Sequence, residues 1–243
     1  MNVSTAIGAQ SARGITGRLL ARQRQKLIDA FHAFRAQAPQ GSVLQVSMAD
    51  AFAPMARAAH AIDADAQYVI HWPGSPVPLR PAPADPATGQ VRQHAGGTRL
   101  PYADEAFDWV FCAETIEHVG DSERQQELIA ELYRVARRGV FLTTSNRDHP
   151  LEFNTGLPLL HWLPSGLWRG MLKAFGARDG TPALRLNLLG SKALYHMAAG
   201  LPGRPEHDVG HKRVFGIKAH YFLMIRKQAT AGGQAPLQAQ AAS

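Results

Sequence analysis

Short apolar runs alternate with helical segments along most of the chain, and this alternation constrains the fold more than any other feature. The predicted strands are residues 42–46, 67–72, 91–94, 107–112 and 140–144. Helices are predicted between them, at 51–61 and at 122–138. Such alternation indicates a parallel sheet wound on both faces, so we predict an α/β fold of the Rossmann-like, doubly wound kind. Ligands then bind at the carboxyl ends of the strands.

The segments outside this pattern suggest three further parts. Residues 1–40 are predicted as a basic helical extension, because apolar residues recur at helical spacing up to Phe34 and Pro39 with Gly41 ends the helix. The main domain would span 41–227, with 151–210 as a lid or substrate insertion and 214–227 as a terminal strand pair. Residues 228–243 are predicted as a disordered tail.

Cysteine content and hydropathy exclude several classes of protein. Cys112 is the only cysteine, which excludes a disulfide framework and a multi-thiolate zinc site and favours a reducing compartment. Residues 1–28 have no apolar core like that of a secretory signal, and no apolar stretch reaches the ~18–20 residues of a spanning helix. We therefore expect a cytoplasmic protein, with the inner face of the membrane as the alternative.

Charge is distributed unevenly. Residues 1–28 carry five basic residues and no acid, whereas residues 104–131 carry nine acids and one base. The net charge of +7 invites a nucleic-acid partner, but no helix-turn-helix, zinc-finger or aromatic RNP pattern supports one. A metal site is not predicted either, because His207, Asp208 and His211 have no obvious third ligand.

One long motif is specific. Residues 100–119, LPYADEAFDWVFCAETIEHV, resemble a segment of the class I S-adenosylmethionine-dependent methyltransferases, type-11 group, and residues 131–135 and 143–164 resemble later elements of that group. The resemblance implies a seven-stranded sheet with one antiparallel strand near its edge. It also implies S-adenosylmethionine as cofactor and methyl transfer to a small molecule or a glycan.

The motif supplies the catalytic candidates. His118 follows the fourth predicted strand and is a candidate general base for a hydroxyl nucleophile, with Glu117 beside it. The alternative is that both residues only shape the turn into the next helix. Glu114 either faces the cofactor pocket or is a solvated loop acid, and Cys112 is predicted to be a buried, inert thiol.

The cofactor half of the resemblance departs from the family pattern. The resemblance assigns cofactor contacts to Ser47, Ala49, Asp50, His71, Gly96 and Glu114. Three glycines of the family are replaced by Ser47, Ala49 and Ala51, and the usual acids after the second and third strands are absent. We predict a loop of negative φ and cofactor binding that is weakened, altered or lost. A non-catalytic relative that acts as a binding or scaffolding partner is therefore the alternative function.

Residues 156–175 combine tryptophans and leucines with Arg169 and Lys173. This composition is typical of an interfacial segment on anionic lipid, and equally of a lid over the substrate pocket. Of the two, the lid is favoured. The oligomeric state is left open.

Overall fold

A single seven-stranded sheet organises the protein in the computed structural model, which describes residues 15–48, 62, 64–71, 91–95, 99–146, 167, 170, 187–214 and 216–227. The strands are β1 (Val43–Met48), β2 (Ala66–His71), β3 (Val91–Ala95), β4 (Phe107–Ala113), β5 (Ala136–Ser145), β6 (Glu206–Val214) and β7 (Ile217–Arg226). Their order is β3-β2-β1-β4-β5-β7-β6.

The direction of the strands confirms the predicted fold class. Strands β1 to β5 run parallel to their neighbours. Strand β7 is antiparallel to both β5 and β6, so one antiparallel strand lies next to the edge. The carboxyl ends of β1 to β5 therefore meet at one edge of the sheet, which we call the carboxyl edge. The opposite edge is the amino edge.

Three helices accompany the sheet: α1 (Ile15–Phe34), α2 (Ser122–Val135) and α3 (Ser191–Ala199). Among the described residues, no helix is long and apolar enough to cross a membrane. The helix predicted at 51–61 and the tail 228–243 lie outside the described residues. So does the segment 156–175, apart from Leu167 and Gly170.

Helix α1 covers one face of the sheet and is more than an extension. Its apolar stripe is fully buried at Phe31 and nearly so at Phe34. The ring of Phe31 lies 4.9 Å from that of Phe111, and the ring of Phe34 lies 5.3 Å from that of Trp109. The predicted apolar periodicity of the N-terminal segment thus builds half of the core.

Helices α2 and α3 cover the other face. Leu128 and Leu132 of α2 and Leu194 of α3 are fully buried in one cluster with Val110 of β4 and Leu142 of β5. Because both faces are covered, β4 and β5 are buried on both sides, which explains why their sequences read as continuous apolar runs.

The boundary between α2 and β5 differs from the prediction. The helix was expected to run to residue 138, but it ends at Val135, and β5 begins at Ala136. Ala136 pairs with Phe107 of β4, and Arg138 Nε lies 2.9 Å from Asp108 Oδ1. The two arginines after Ala136 therefore serve strand pairing with β4, and they do not end a helix.

The start of α2 agrees with the prediction, whereas the start of β6 differs. Helix α2 begins at Ser122, after the N-cap Asp121, whose side chain accepts from the Arg124 backbone N–H at 3.0 Å. Strand β6 begins at Glu206, so its first five residues lie within the stretch predicted as an insertion.

Candidate functional site

The chain turns sharply at the carboxyl edge, directly after β4. Glu114 has φ +42°, a left-handed conformation that is uncommon for a residue other than glycine. Its backbone N–H donates to the Thr143 carbonyl at 3.0 Å and is 3.2 Å from Thr143 Oγ1. Strand β5 thus holds this turn, which leads into a 3₁₀ turn at Ile116–His118. Backbone strain held by its surroundings is frequent at functional sites.

A buried amide pair fixes the 3₁₀ turn. The Gln125 amide donates to the Ile116 carbonyl at 3.0 Å and to the Asn187 carbonyl at 2.8 Å. The Asn187 backbone N–H donates to the Glu117 carbonyl at 2.8 Å. Helix α2 and the segment before α3 therefore set the positions of Glu117 and His118 together.

Glu117 is fully buried. The Thr144 hydroxyl donates to Glu117 Oε2 at 2.9 Å, whereas Oε1 has no hydrogen-bond partner among the described residues. Burial, and after it the charge of Glu114, raise the pKa of Glu117 to about 8 against the opposing bond from Thr144. Glu117 is consequently protonated at neutral pH.

His118, the next residue, is also uncharged at neutral pH. The residue is partly exposed, but its Nδ1 is buried and makes no hydrogen bond within the described part of the chain. Burial lowers the pKa of His118 to about 4, although the charge of Glu114 opposes the shift. The imidazole is therefore uncharged at neutral pH and has a lone pair available.

Glu114 is the ionised member of the site. Its Oε1 lies 3.2 Å from Nε2 of His220 on β7, and its side chain is 13% exposed. Burial alone would raise the pKa of Glu114. The hydrogen bond from His220, and the favourable charge interactions with His220, Arg24 and His118, outweigh burial, so the pKa is lowered. The prediction of a solvated loop acid is therefore wrong.

Helix α1 contributes Arg24 to the same place. Arg24 is half-buried, and its buried Nε has no hydrogen-bond partner among the described residues. Burial lowers the pKa of Arg24, and the charge of Glu114 opposes this. Three elements that are remote in sequence, α1, the β4 turn and β7, thus meet around one carboxylate.

Sequence reasoning found Glu114, Glu117 and His118 but missed Arg24 and His220. Arg24 is one of five basic residues in the N-terminal segment, and nothing in the pattern separates it from the others. His220 had a weak signal: it is a polar residue, 1% exposed, at the start of an otherwise apolar strand. Thr144 lay inside the family-like stretch 143–164 but was not selected.

The first strand carries part of the predicted cofactor site. Ser47 is buried and pairs with Val69 of β2, so it has the negative φ that was predicted but belongs to β1 and not to the loop after it. Gln45 is 3% exposed, and its Oε1 has no hydrogen-bond partner in the described part of the chain. His71 ends β2, and its side chain is not described. Ala49, Asp50, Ala51 and Gly96 lie outside the described residues.

Cys112 is buried, and burial is the main cause that raises the pKa of its thiol to about 12. The prediction that this thiol is buried is confirmed. Within the described ranges, no group of three or more His, Cys, Asp or Glu residues is arranged to hold a metal ion.

Comparisons with known proteins bear on the family. No curated protein matches the chain. Similar solved structures include the PH0226 protein of Pyrococcus horikoshii (12% identity, 89% of this chain and 93% of that chain, TM-score 0.49). A possible histamine N-methyltransferase of Thermotoga maritima is another (18% identity, 87% and 94%, TM-score 0.48). Magnesium protoporphyrin IX methyltransferase of Synechocystis is a third (13%, 88% and 88%, TM-score 0.45).

A family model described as a methyltransferase domain matches residues 33–144. These residues run from the end of α1 through β5, and they include Glu114, Glu117 and His118 at the carboxyl edge. Together with the motif at 100–119, this match supports a methyltransferase domain over this part of the chain, with S-adenosylmethionine as its cofactor.

Proposed function

We propose that this methyltransferase transfers a methyl group from S-adenosylmethionine to a hydroxyl group of a small molecule or a glycan. The observation that supports this most is the neutral His118, whose Nδ1 is unpaired among the described residues, beside the acids Glu114 and Glu117 at the carboxyl edge. A general base must be unprotonated before it can accept a proton, and a pKa of about 4 keeps His118 so at neutral pH.

The described residues fit the cationic methionine end of the cofactor. Glu114 is an ionised carboxylate, and the Gln45 side-chain oxygen on β1 is an acceptor with no partner among the described residues. Because Glu117 is uncharged at neutral pH, it adds no second negative charge to the site. We infer that Glu114 and Gln45 hold this end, with Ser47, Ala49, Asp50, His71 and Gly96 as the remaining predicted contacts. When bound, the cofactor supplies an electrophilic methyl group on a sulfonium.

In this proposal each chain residue has a defined task. His118 accepts the proton of the attacking hydroxyl. Glu117, held by Thr144 and fixed through the Asn187 bond to its backbone, keeps the 3₁₀ turn and with it His118 in place. Positioning the nucleophile against the methyl group supplies much of the rate.

The test uses the purified protein with methyl-labelled S-adenosylmethionine and a panel of hydroxyl-bearing small molecules and glycans. His118→Gln should lower turnover at least ~10²-fold and leave cofactor affinity nearly unchanged, because a lost base affects only the chemical step. His196→Gln, on the exposed side of α3, is the matched control and should retain full turnover. Equal turnover in the two variants would contradict the role of His118.

From its cysteine content, we also propose a cytoplasmic location for the protein. We further propose that the segment 156–175 is a lid, with membrane contact as the alternative. A lid should become protected from proteolysis when an acceptor binds. Unchanged cleavage at this segment in the presence of a turned-over acceptor would contradict the lid.

A further inference from the structure

The two basic arms of the sequence meet in the fold. Residues 1–28 carry five basic residues and no acid, and residues 151–228 carry eleven basic residues and four acids. Helix α1 packs beside β6, where the Gln23 amide donates to the Arg213 carbonyl at 3.2 Å, although the two residues are 190 positions apart. Folding therefore concentrates positive charge that the sequence holds in two separate segments.

The β6–β7 hairpin extends this charge past the carboxyl edge. Ser145, the last residue of β5, pairs with His220, and His220 pairs with Lys212 on the other strand of the hairpin. Residues 213, 214 and 216–218 consequently project beyond the end of β5, at the edge of the sheet where Glu114 and His118 lie. We call the described residues, 211–214 and 216–218, the hairpin tip.

The cations of the hairpin tip have no acidic partner in the part of the chain that the structure describes. No carboxylate among the described residues lies within salt-bridge distance of Lys212, Arg213 or Lys218. Burial, followed by the charges of these three residues, lowers the pKa of His211. The acids of β6, Glu206 and Asp208, lie toward the amino edge.

An exposed aliphatic side chain lies among these charges. Ile217 is 45% exposed, next to Gly216, which turns the hairpin with φ +79°. A single exposed aliphatic residue is common on protein surfaces, but Ile217 projects beside the cations of the hairpin tip. A small soluble anion would satisfy the cations but would leave Ile217 in water. A lipid surface satisfies both, because its headgroups are charged and the layer beneath them is apolar.

We propose that the hairpin tip docks the protein on a bilayer that contains anionic lipid, with Ile217 entering the headgroup layer. The exposed Arg22 and Lys26, which flank Gln23 on α1, add to the attraction. This surface is separate from residues 156–175. Docking there brings the carboxyl edge toward the membrane, so that an acceptor held in the bilayer can reach the site.

The test is co-sedimentation of the full chain with vesicles of phosphatidylcholine, with or without phosphatidylglycerol, at low and high salt. The protein should bind only vesicles with the anionic lipid, and more weakly as salt rises. Each basic residue near such a surface contributes about a five-fold factor to partitioning. Arg213→Glu with Lys218→Glu should therefore reduce partitioning by ~25-fold or more.

Matched variants separate local docking from net charge. Arg99→Glu with Arg204→Glu changes the net charge equally, at exposed residues remote from the hairpin tip, and should bind nearly as well as the wild type. Ile217→Ser should weaken binding several-fold, whereas Tyr195→Ser, at another exposed apolar residue, should not. Circular dichroism verifies that each variant is folded.

Three outcomes would overturn the proposal: no sedimentation at low salt, equal sedimentation with neutral vesicles, or an equal loss in the two charge-reversal pairs. Because the assay contains neither cofactor nor acceptor, its result is independent of the proposed methyl transfer.

Discussion

The two edges of the sheet differ in how fully their buried charged and polar side chains are hydrogen-bonded. At the amino edge, Arg134 donates to Glu131 at 2.8 and 2.9 Å and to Asp104 at 2.7 Å. The same guanidinium donates to the Tyr102 carbonyl at 2.8 Å and to the Leu100 carbonyl at 3.1 Å. At the carboxyl edge, Glu117, His118 and Arg24 each keep a buried polar atom without a partner in the described part of the chain.

The electrostatic consequences differ accordingly. Burial alone would raise the pKa of Glu131. The hydrogen bonds from Arg134 and from the Leu100 backbone outweigh burial, so the pKa is lowered and the acid is ionised at neutral pH. Burial, together with the charge of Glu114, raises the pKa of Glu117 to about 8, because the bonds from Thr144 and from the backbone of Glu117 and Ser145 compensate too little. A paired network holds the loop before β4 in place, whereas unpaired buried groups are costly unless a ligand completes them.

A groove at the amino edge is lined by charge that is already paired. It has a volume of about 510 Å³ and lies between Glu105, Tyr133 and Lys227. Lys227 Nζ lies 3.4 Å from Glu105 Oε1 and 4.6 Å from the centre of the Tyr133 ring. This pairing marks the groove as part of the structural network of the amino edge.

The largest expected effect concerns the cofactor at the carboxyl edge. The acids that the family has after the second and third strands are missing here, and bonds to charged groups are worth ~1.5–3 kcal/mol each. Two losses weaken affinity by roughly 10²–10⁴-fold, so the S-adenosylmethionine Kd should approach the millimolar range. Titration calorimetry measures it. Ser47→Gly should not restore binding, because Ser47 lies in a strand paired with β2, and this extended backbone does not require glycine. A low-micromolar Kd for the unmodified protein would refute this prediction.

The next effect tests the amino edge. Arg134→Ala removes a side chain that is 24% exposed and leaves Glu131 and two carbonyls without their donor. We expect a loss of about 2–4 kcal/mol in the free energy of unfolding, measured with urea, and an unchanged cofactor affinity of the folded fraction. Arg137→Ala, at a side chain 54% exposed, is the control and should cost less than ~1 kcal/mol. Similar costs for both would mean that the Arg134 network stabilises little.

The two acids should also give opposite pH dependences. The folded pKa of Glu117 lies above its unfolded value of 4.5, so the stability from its protonation is lost as pH rises toward 8. The pKa of Glu131 is lowered, so its contribution is present at neutral pH and is lost as pH falls below the unfolded value. Relative to the wild type, Glu117→Gln should gain more than ~1 kcal/mol between about pH 5 and about pH 9. Glu131→Gln should be destabilised throughout. Thermal unfolding across this pH range measures these stabilities. Parallel curves of stability against pH for the wild type and Glu117→Gln would contradict the raised pKa.

The smallest effect concerns Cys112, which lies between the core and the carboxyl edge. Since its thiol is buried and its pKa is about 12, a thiol-specific reagent at neutral pH should label it only after unfolding. Mass spectrometry of native and denatured protein measures this. Rapid labelling of the native protein would show that solvent reaches the end of β4.

Much of the fold could be predicted from the sequence because its signals are local. Apolar runs marked β4 and β5, and the periodicity up to Phe34 marked α1, since burial on one or both faces imposes those patterns. The motif at 100–119 brought Glu114, Glu117 and His118 forward, because all three follow one strand in one stretch of chain. The end of α2 was missed because the pairing of Ala136 with Phe107 is a contact across the sheet.

Only the tertiary structure decided how these residues behave. The sequence motif marks Glu114, but Arg24 and His220 are unremarkable polar residues far from it in the chain. The sheet order and the packing of α1 bring them together, and the pKa of each acid then depends on burial and on neighbours that no local pattern records. The same holds for charge: the sequence determines that two arms are basic, but it is the contact of Gln23 with β6 that joins them into one surface.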